Sequence, residues 1–343
     1  MKSEDIILSI AFFSQTGIGV LGNSFLICLF IFMVLSGHRM RLVDTIVTQL
    51  ALANCLALLL KGIPQTVIVL GLMNFLDETG CKIVFYLHRT ARNLSLNMTC
   101  LLSAFQATTI SPSNSNLAEL KARAPKYLIF STLFCWTFQL LFNVFFLWGI
   151  KGPKFTRNRT EIQHYGYCSN VVPSGFYASL FATILSFPDV VCLGLMVSAS
   201  GYMVILLFRH HKQAQQIHIT CLSPRASPET RATKTILLLV SIFLTSYSLN
   251  CILTAHMTFV KFPSGLMHTS AFLNSSYPAA SPYVLIRSNS QISRYLYALC
   301  GRKIPHFDTN SKLISPTRCD CKKAAIRVKE FLHQMKPECI PKY

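Results

Sequence analysis

The sequence predicts an all-α membrane protein: a bundle of seven transmembrane helices, amino terminus outside, carboxyl terminus in the cytoplasm. Three observations carry this reading. Of 343 residues, 52% are hydrophobic and 13% charged, about half the charged fraction of a soluble domain. The apolar residues gather in blocks of about 18 or more, long enough to cross a bilayer. Lys and Arg also distribute unevenly between the two sides that those blocks define.

Seven blocks run roughly from Ile6 to Leu35, Asp44 to Leu70, Cys81 to Ile110, Tyr127 to Trp148, Phe176 to Phe208, Thr233 to Val260 and Thr269 to Ile286. The first has only Lys2 as a basic flank and no small-residue cleavage site, so it reads as a retained span. The seventh contains Pro278, Pro282 and many serines. It can span only if neighbouring helices satisfy its freed carbonyls.

Orientation follows from the basic residues. Arg39, Arg41, Lys121, Arg123, Lys126, Arg209, Lys212, Arg225, Arg231, Lys234 and twelve in the tail put 22 on one side. The other side holds 7, and Lys61, Arg89 and Arg92 sit within blocks. The richer side is cytoplasmic. The formal net charge of +19 is thereby explained by a membrane, and no nucleic-acid partner is needed. Two units follow: residues 1–290 as the seven-helix bundle and 291–343 as a cytoplasmic tail, amphipathic or disordered.

Thirteen cysteines are present, most of them inside apolar blocks, where a thiol acts as a small hydrophobe. Cys81, at the outer end of the third block, and Cys168, in the second outer loop, are the two placed in an oxidising compartment, and they can pair. Asn158-Arg159-Thr160 in that loop is a glycosylation acceptor. Asn93-Leu94-Ser95 and Asn97-Met98-Thr99 match the same pattern at membrane depth, out of a transferase's reach, and read as interhelical hydrogen-bonding residues. Asn274-Ser275-Ser276 lies too near the membrane to be a good acceptor.

Charge within a membrane is expensive and faces a cavity or a partner. Besides Lys61, the candidates are Arg89, Arg92 and Asp189, with His88 and His256 beside them. Arg89 and Arg92, three apart, share a helix face, and guanidinium forks suit oxyanions such as sulfate or carboxylate. Alternatively, one arginine pairs Asp189 and the other snorkels to the interface. His88 is a ligand contact or a hydrogen-bonded structural residue. Pro188 kinks the fifth block beside Asp189. Tyr177, Phe187, His256 and Tyr277 line a pocket there or are plain packing.

Several stretches are family-specific. Gly22-Asn23 is similar to the Gly-Asn of rhodopsin-like receptors. Leu50-Ala51-Leu52-Ala53-Asn54, Lys61-Gly62-Ile63-Pro64-Gln65-Thr66 and Ser103-Ala104-Phe105-Gln106-Ala107-Thr108-Thr109-Ile110-Ser111-Pro112 are more distinctive. So are Ser200-Gly201-Tyr202-Met203-Val204, Leu222-Ser223-Pro224-Arg225-Ala226-Ser227-Pro228-Glu229, Tyr277-Pro278 and Ser281-Pro282-Tyr283-Val284-Leu285-Ile286. Together, over about residues 1 to 290, they resemble the type 1 vomeronasal receptor family. The resemblance implies a plasma-membrane pheromone receptor that takes small organic ligands and couples to an inhibitory-class heterotrimeric G protein. It also carries departures from the wider rhodopsin-like pattern. Asn54 replaces the acid of span two, Phe105-Gln106-Ala107 replaces Asp-Arg-Tyr, and Ser281-Pro282 replaces Asn-Pro. His88 stands where amine-binding relatives have an acid, so a cationic amine ligand is not expected.

The inner face offers Gln106, Arg209, Lys212, Arg225 and Arg231 as G-protein contacts, since basic loops complement acidic partners. Ser223-Pro224 and Ser227-Pro228 interrupt helix in the third inner loop. In the tail, Val328, Phe331, Leu332 and Met335 recur at helical spacing among basic residues, a pattern suited to anionic lipid. Cys300 is a palmitoylation candidate. Cys319-Asp320-Cys321 with His333 and Cys339 lacks zinc spacing. No nucleophile elbow, phosphate loop or metalloprotease helix occurs, so neither an enzyme nor a cofactor is expected. A bitter-taste-type receptor or a seven-span transporter is the alternative. The Ser-Pro-Arg-Ala-Ser-Pro-Glu stretch argues against the former, and the lack of a visible internal repeat argues against the latter.

Overall fold

Lipid offers the backbone no hydrogen-bond partner, so an apolar block in it must satisfy itself as a helix. A computed structural model describes residues 3–37, 41–71, 75–111, 118–151, 162–164, 168–171, 176–217, 228–259 and 264–288. Within them each block is helical: α1 (Ser3–Leu35), α2 (Leu42–Val69), α3 (Glu78–Ile110), α4 (Ala118–Phe142), α5 (Phe176–Ile217), α6 (Pro228–Phe259) and α7 (Ser264–Ser288). Among the described residues, five stretches are long and apolar enough to cross a membrane: Ile6–Leu35, Leu42–Val69, Tyr127–Phe145, Ser186–Arg209 and Ala232–Leu253. α3 and α7 are too polar to join them, α3 through its charged and amide side chains, α7 through its serines.

Helix ends depart from the hydropathy blocks. α4 begins at Ala118 rather than Tyr127, and α5 continues to Ile217 rather than Phe208. Residues such as Lys212, Gln213, Ala214 and Gln215 favour helix without favouring lipid, so hydropathy stops before the helix does. α6 begins at Pro228; proline suits a first helical position, where its missing N–H is no loss. The bundle is helical throughout, and the connection from α4 to α5 adds a small sheet to it. After a 3-10 segment at Asn143–Gly149, three short antiparallel strands appear, β1 (Ile150–Lys151), β2 (Ile162–His164) and β3 (Ser169–Val171), in the order β1-β3-β2. Strands of two or three residues leave no readable alternation.

The bundle is inside out. Phe13, Leu21, Leu133, Phe187 and Phe208 are each more than 60% exposed, while Asn54, Thr99, Ser103, Asn143 and Ser281 are fully buried. Such an apolar exterior suits lipid, and polar residues inside join helices to one another. α3 is the hub, packed on α2, α4, α5 and α6; α1 packs on α2 and α7. A Cβ at Gly22 would stand 2.9 Å from Pro282 and 3.1 Å from the Tyr283 ring. Its hydrogen is what lets α1 approach α7.

The prolines of α7 explain the adjoining hydrogen bonds. Pro282 has no N–H for the carbonyl of Pro278, four residues earlier. That orphaned oxygen instead accepts Asn23 Nδ2 of α1 at 2.9 Å. Ser281 Oγ accepts Asn54 Nδ2 at 2.8 Å, and Asn54 Oδ1 accepts Ser95 Oγ at 2.6 Å. Four helices are thus linked around one proline.

Asn23→Ala should lower the thermal midpoint of the purified protein, because the buried Pro278 carbonyl loses its shorter hydrogen bond and keeps only the 3.4 Å one from Ser281 Oγ, a loss of about 1 kcal/mol. In a Pro282→Ala background the restored N–H reclaims the carbonyl, and the Asn23→Ala penalty should shrink. Equal penalties in both backgrounds would contradict this account.

Candidate functional site

The outer end is fastened first. Cys81 opens the body of α3 and is bonded to Cys168, with Cα atoms 5.9 Å apart. Both are buried against Ile68, with Leu76, Val84 and Phe85 around them. The loop between α4 and α5 is thereby held over α3, and β3 starts one residue beyond the bridge. Asp77 caps α3 by accepting the Gly80 N–H at 2.8 Å, a usual task for aspartate there.

Below the bridge, α3 presents His88, Arg89 and Arg92, which the structure directs to three different helices. His88 Nδ1 lies 3.3 Å from the Ala57 carbonyl of α2. Since a carbonyl only accepts, this nitrogen carries the proton. Arg89 Nε donates to Asn143 Oδ1 at 3.1 Å. Asn143 donates in turn to the Gln139 carbonyl at 2.8 Å and to Gln139 Oε1 at 3.2 Å. Asn93 Nδ2 donates to the same Oε1 at 3.2 Å. Arg89 is therefore secured toward α4. Arg92 turns to α6, its Cζ 5.4 Å from the ring centre of Tyr247. The expected shared basic face is a fan: helical spacing sets the direction of Cβ, and long side chains then diverge.

Asp189 is buried on α5, and its Oδ1 has no hydrogen-bond partner among the described residues. No ion pair there joins it to Arg89 or Arg92, so the pairing alternative is not what the structure contains.

Arg92 opens into a cleft between α3, α6 and α7, walled by Ser95, Phe243, Tyr247, Tyr277 and Pro278. Ser246, Leu273 and Asn274 complete the lining. Tyr277 meets the Phe243 ring edge-on with centroids 4.7 Å apart, and its hydroxyl lies 2.6 Å from Thr99 Oγ1. The cavity volume is about 30 Å³, room for water rather than for an organic ligand, since one water needs about 10–15 Å³. Ser95 and Pro278 also belong to the bonds around Asn54 and Asn23, so the cleft wall and the central polar lattice are one structure.

Of the residues singled out from the sequence, Arg92 and Tyr277 line this cleft, Tyr277 here rather than in the expected pocket beside Pro188; Tyr247, Phe243 and Asn274 line it without having been singled out as ligand contacts. Asn274 was visible only as a glycosylation pattern; Tyr247 needed the register of α6 on α3. Phe187 is 65% exposed on the outside of the bundle and does not line the cleft. Tyr177 and His256 fall within α5 and α6, with side chains outside the described residues. Asn93 and Asn97 make interhelical bonds as expected, the latter accepting Cys192 Sγ at 3.1 Å.

At the inner end, Gln106 is buried and its Nε2 donates to the buried Thr233 Oγ1 of α6 at 3.2 Å. Expected as a partner contact, its amide is instead occupied within the bundle. Ser111 Oγ and the Tyr202 hydroxyl lie 3.0 Å apart. Arg209 and Lys212 are exposed on α5. Arg231 stands in the first turn of α6. Its side chain lies outside the described residues, as do Arg225, Asn158, Cys300 and the whole tail from 289.

A model of the vomeronasal organ pheromone receptor family matches residues 6–298. The chain is 44% identical over 295 residues to vomeronasal type-1 receptor 1 of Homo sapiens, covering 86% of this chain and 83% of that one. It is 43% identical over 286 residues to the human vomeronasal type-1 receptor 4, with 83% and 95% covered. Against vomeronasal type-1 receptor 90 of Rattus norvegicus the identity is 38% over 301 residues, with 85% and 94% covered.

Cys81→Ser and Cys168→Ser should each lower the thermal midpoint substantially, since a bridge spanning 87 residues is worth up to about 4 kcal/mol by chain entropy. The double variant should be no worse than either single one. Additive losses would mean that the cysteines act separately.

Proposed function

Because the chain belongs to the vomeronasal organ pheromone receptor family, we propose that it is a rhodopsin-like, G-protein-coupled pheromone receptor of the plasma membrane. In this reading all seven helices span the bilayer, α3 and α7 being shielded from lipid by their neighbours. The amino terminus is outside and the basic tail inside, as the 22-to-7 distribution of Lys and Arg favours. The ligand is a small organic anion, and the observation that carries this is Arg92: a guanidinium over Tyr247 in a cleft otherwise lined by aromatic, apolar and neutral polar side chains. A mostly apolar pocket with few polar anchors is the usual form of a small-ligand site. Arg89, its Nε occupied by Asn143, contributes charge more than contact, and His88 is a helix–helix bond.

The cleft is too small for an organic ligand as it stands, so binding must part α6 from α3 or α7. An agonist then stabilises the parted arrangement in proportion to its preference for it. The same movement releases Gln106 from Thr233 at the inner end, exposing α3 on the side of the bundle that carries Arg209 and Lys212; by sequence, Arg225 and Arg231 add further positive charge to this end. An acidic surface on an inhibitory-class heterotrimeric G protein is the partner these charges suit.

Cells expressing the chain should lower cyclic AMP in response to members of a panel of organic sulfates and carboxylates. Blocking the inhibitory-class α subunit by ADP-ribosylation should abolish the response. Arg92→Gln should reduce anion potency more than tenfold and Arg89→Gln by less, at equal surface expression. Anions acting equally on the Arg92 variant would remove the anion assignment, and saturable uptake without a G-protein response would favour a transporter. Thr233→Val, which loses one hydrogen bond worth about 1 kcal/mol, should raise ligand-free signalling severalfold. Unchanged basal signalling would show that this bond does not hold the resting state.

A further inference from the structure

Asp189 is the buried acid that the anion reading leaves unused. It is 6% exposed, and its Oδ1 has no partner among the described residues. Buried polar atoms are nearly always paired, so such an oxygen calls for a donor.

Two contacts establish where Asp189 stands. Cys192 Sγ of α5 meets Asn97 Oδ1 of α3, and farther in, the Tyr202 hydroxyl meets Ser111 Oγ. Residue numbers rise together along the two helices, so α5 runs parallel to α3. Asp189 precedes Cys192 by three residues, nearly one turn on the same face. It therefore reaches α3 about one turn above Asn97, at the level of Arg92 and Asn93. Arg92 makes no hydrogen bond among the described residues; its guanidinium lies over the Tyr247 ring. Unused donors and an unused acceptor thus occur at one depth on adjoining helices, without pairing.

We propose that Arg92 and Asp189 form a two-point subsite for an anion that also carries a hydroxyl, Arg92 taking the oxyanion and Asp189 accepting the hydroxyl proton. This inference rests on the anion reading of the cleft and adds the rule of selection. A plain anion meets Arg92 but brings its negative charge toward the Asp189 carboxylate. A hydroxyl a few bonds from the oxyanion converts that repulsion into a charge-assisted hydrogen bond, the stronger kind. Since neighbouring helix axes lie about 8–10 Å apart, the two ligand groups must be close together, as in a 3-hydroxy acid.

The test uses the full chain in phosphatidylcholine nanodiscs, with decanoate and 3-hydroxydecanoate as probes. Dissociation constants come from the ligand-dependent rise in melting midpoint. The wild type should bind the hydroxy acid at least tenfold more tightly. Asp189→Asn should bring the two acids to within about threefold, by tightening decanoate as the repulsion is relieved and weakening the hydroxy acid as a charge-assisted bond becomes a neutral one, and Asp189→Ala should remove the preference entirely. Arg92→Gln should weaken both. A wild type that binds neither acid or does not distinguish them overturns the subsite, as does an Asp189 variant that shifts both equally. If Arg92→Gln leaves both affinities intact, the anion reading fails as well. If Arg92→Gln weakens both while Asp189→Asn changes neither, only the two-point rule fails.

Discussion

Away from water, a polar side chain is stable only when another helix supplies its partner, and this requirement organises the bundle around α3. Along that helix Asn93, Ser95, Asn97, Thr99 and Gln106 are buried and bond to α4, α2, α5, α7 and α6 respectively. The neighbours of α3 are therefore selected by hydrogen-bond complementarity, since apolar packing alone scarcely distinguishes a helix from lipid. Pro282 extends the same logic to α7. By withholding one N–H it exposes the Pro278 carbonyl, and Asn23 closes the gap from α1.

The cleft inherits its character from that lattice. Ser95, Tyr277 and Pro278 face the cavity on one side and hold helices together on the other. A molecule pressed among them cannot displace one wall without stretching a bond to a neighbouring helix. Interhelical bonds within membranes average well under 2 kcal/mol each, so rearranging a few of them is within the reach of small-ligand binding energy. The small volume of the cavity fits a closed arrangement, with ligand binding favouring an opened one.

What could be read from the residues depended on the kind of physics involved. Block hydropathy located all seven helices because apolar character is an average over a turn or more, although among the described residues only five stretches are apolar enough to cross a membrane. The Cys81–Cys168 bridge followed from compartment, and the bonding roles of Asn93 and Asn97 from the cost of an amide in hydrocarbon. Seven spans are harder to justify from composition, since α3 and α7 trade apolar surface for partners. The divergence of Arg89 from Arg92 was hidden, because spacing gives the direction of a Cβ and not the course of a four-atom side chain. Tyr247 and Asn274 were hidden for another reason: their place on the cleft depends on how α6 and α7 rotate against α3, which no local pattern encodes. The short strands by the disulfide, two or three residues each, are too short for alternating hydrophobicity to reveal them.

Charge and neutrality are divided along the long axis of α3. At the cleft, the Arg92 guanidinium is held away from bulk water, where a unit charge acts strongly over several ångströms. There a ligand's charge can do most to shift an equilibrium. At the inner end, the contact to α6 is an amide donating to a hydroxyl, Gln106 to Thr233, with no net charge on either side. Such a bond is weak enough to open under a modest bias and is insensitive to the charge of an approaching partner. Exposed Arg209 and Lys212 can then attract an acidic surface without that surface pulling the clasp apart by itself. In the proposed reading, occupancy of the cleft would govern opening and surface charge would govern encounter, through different residues.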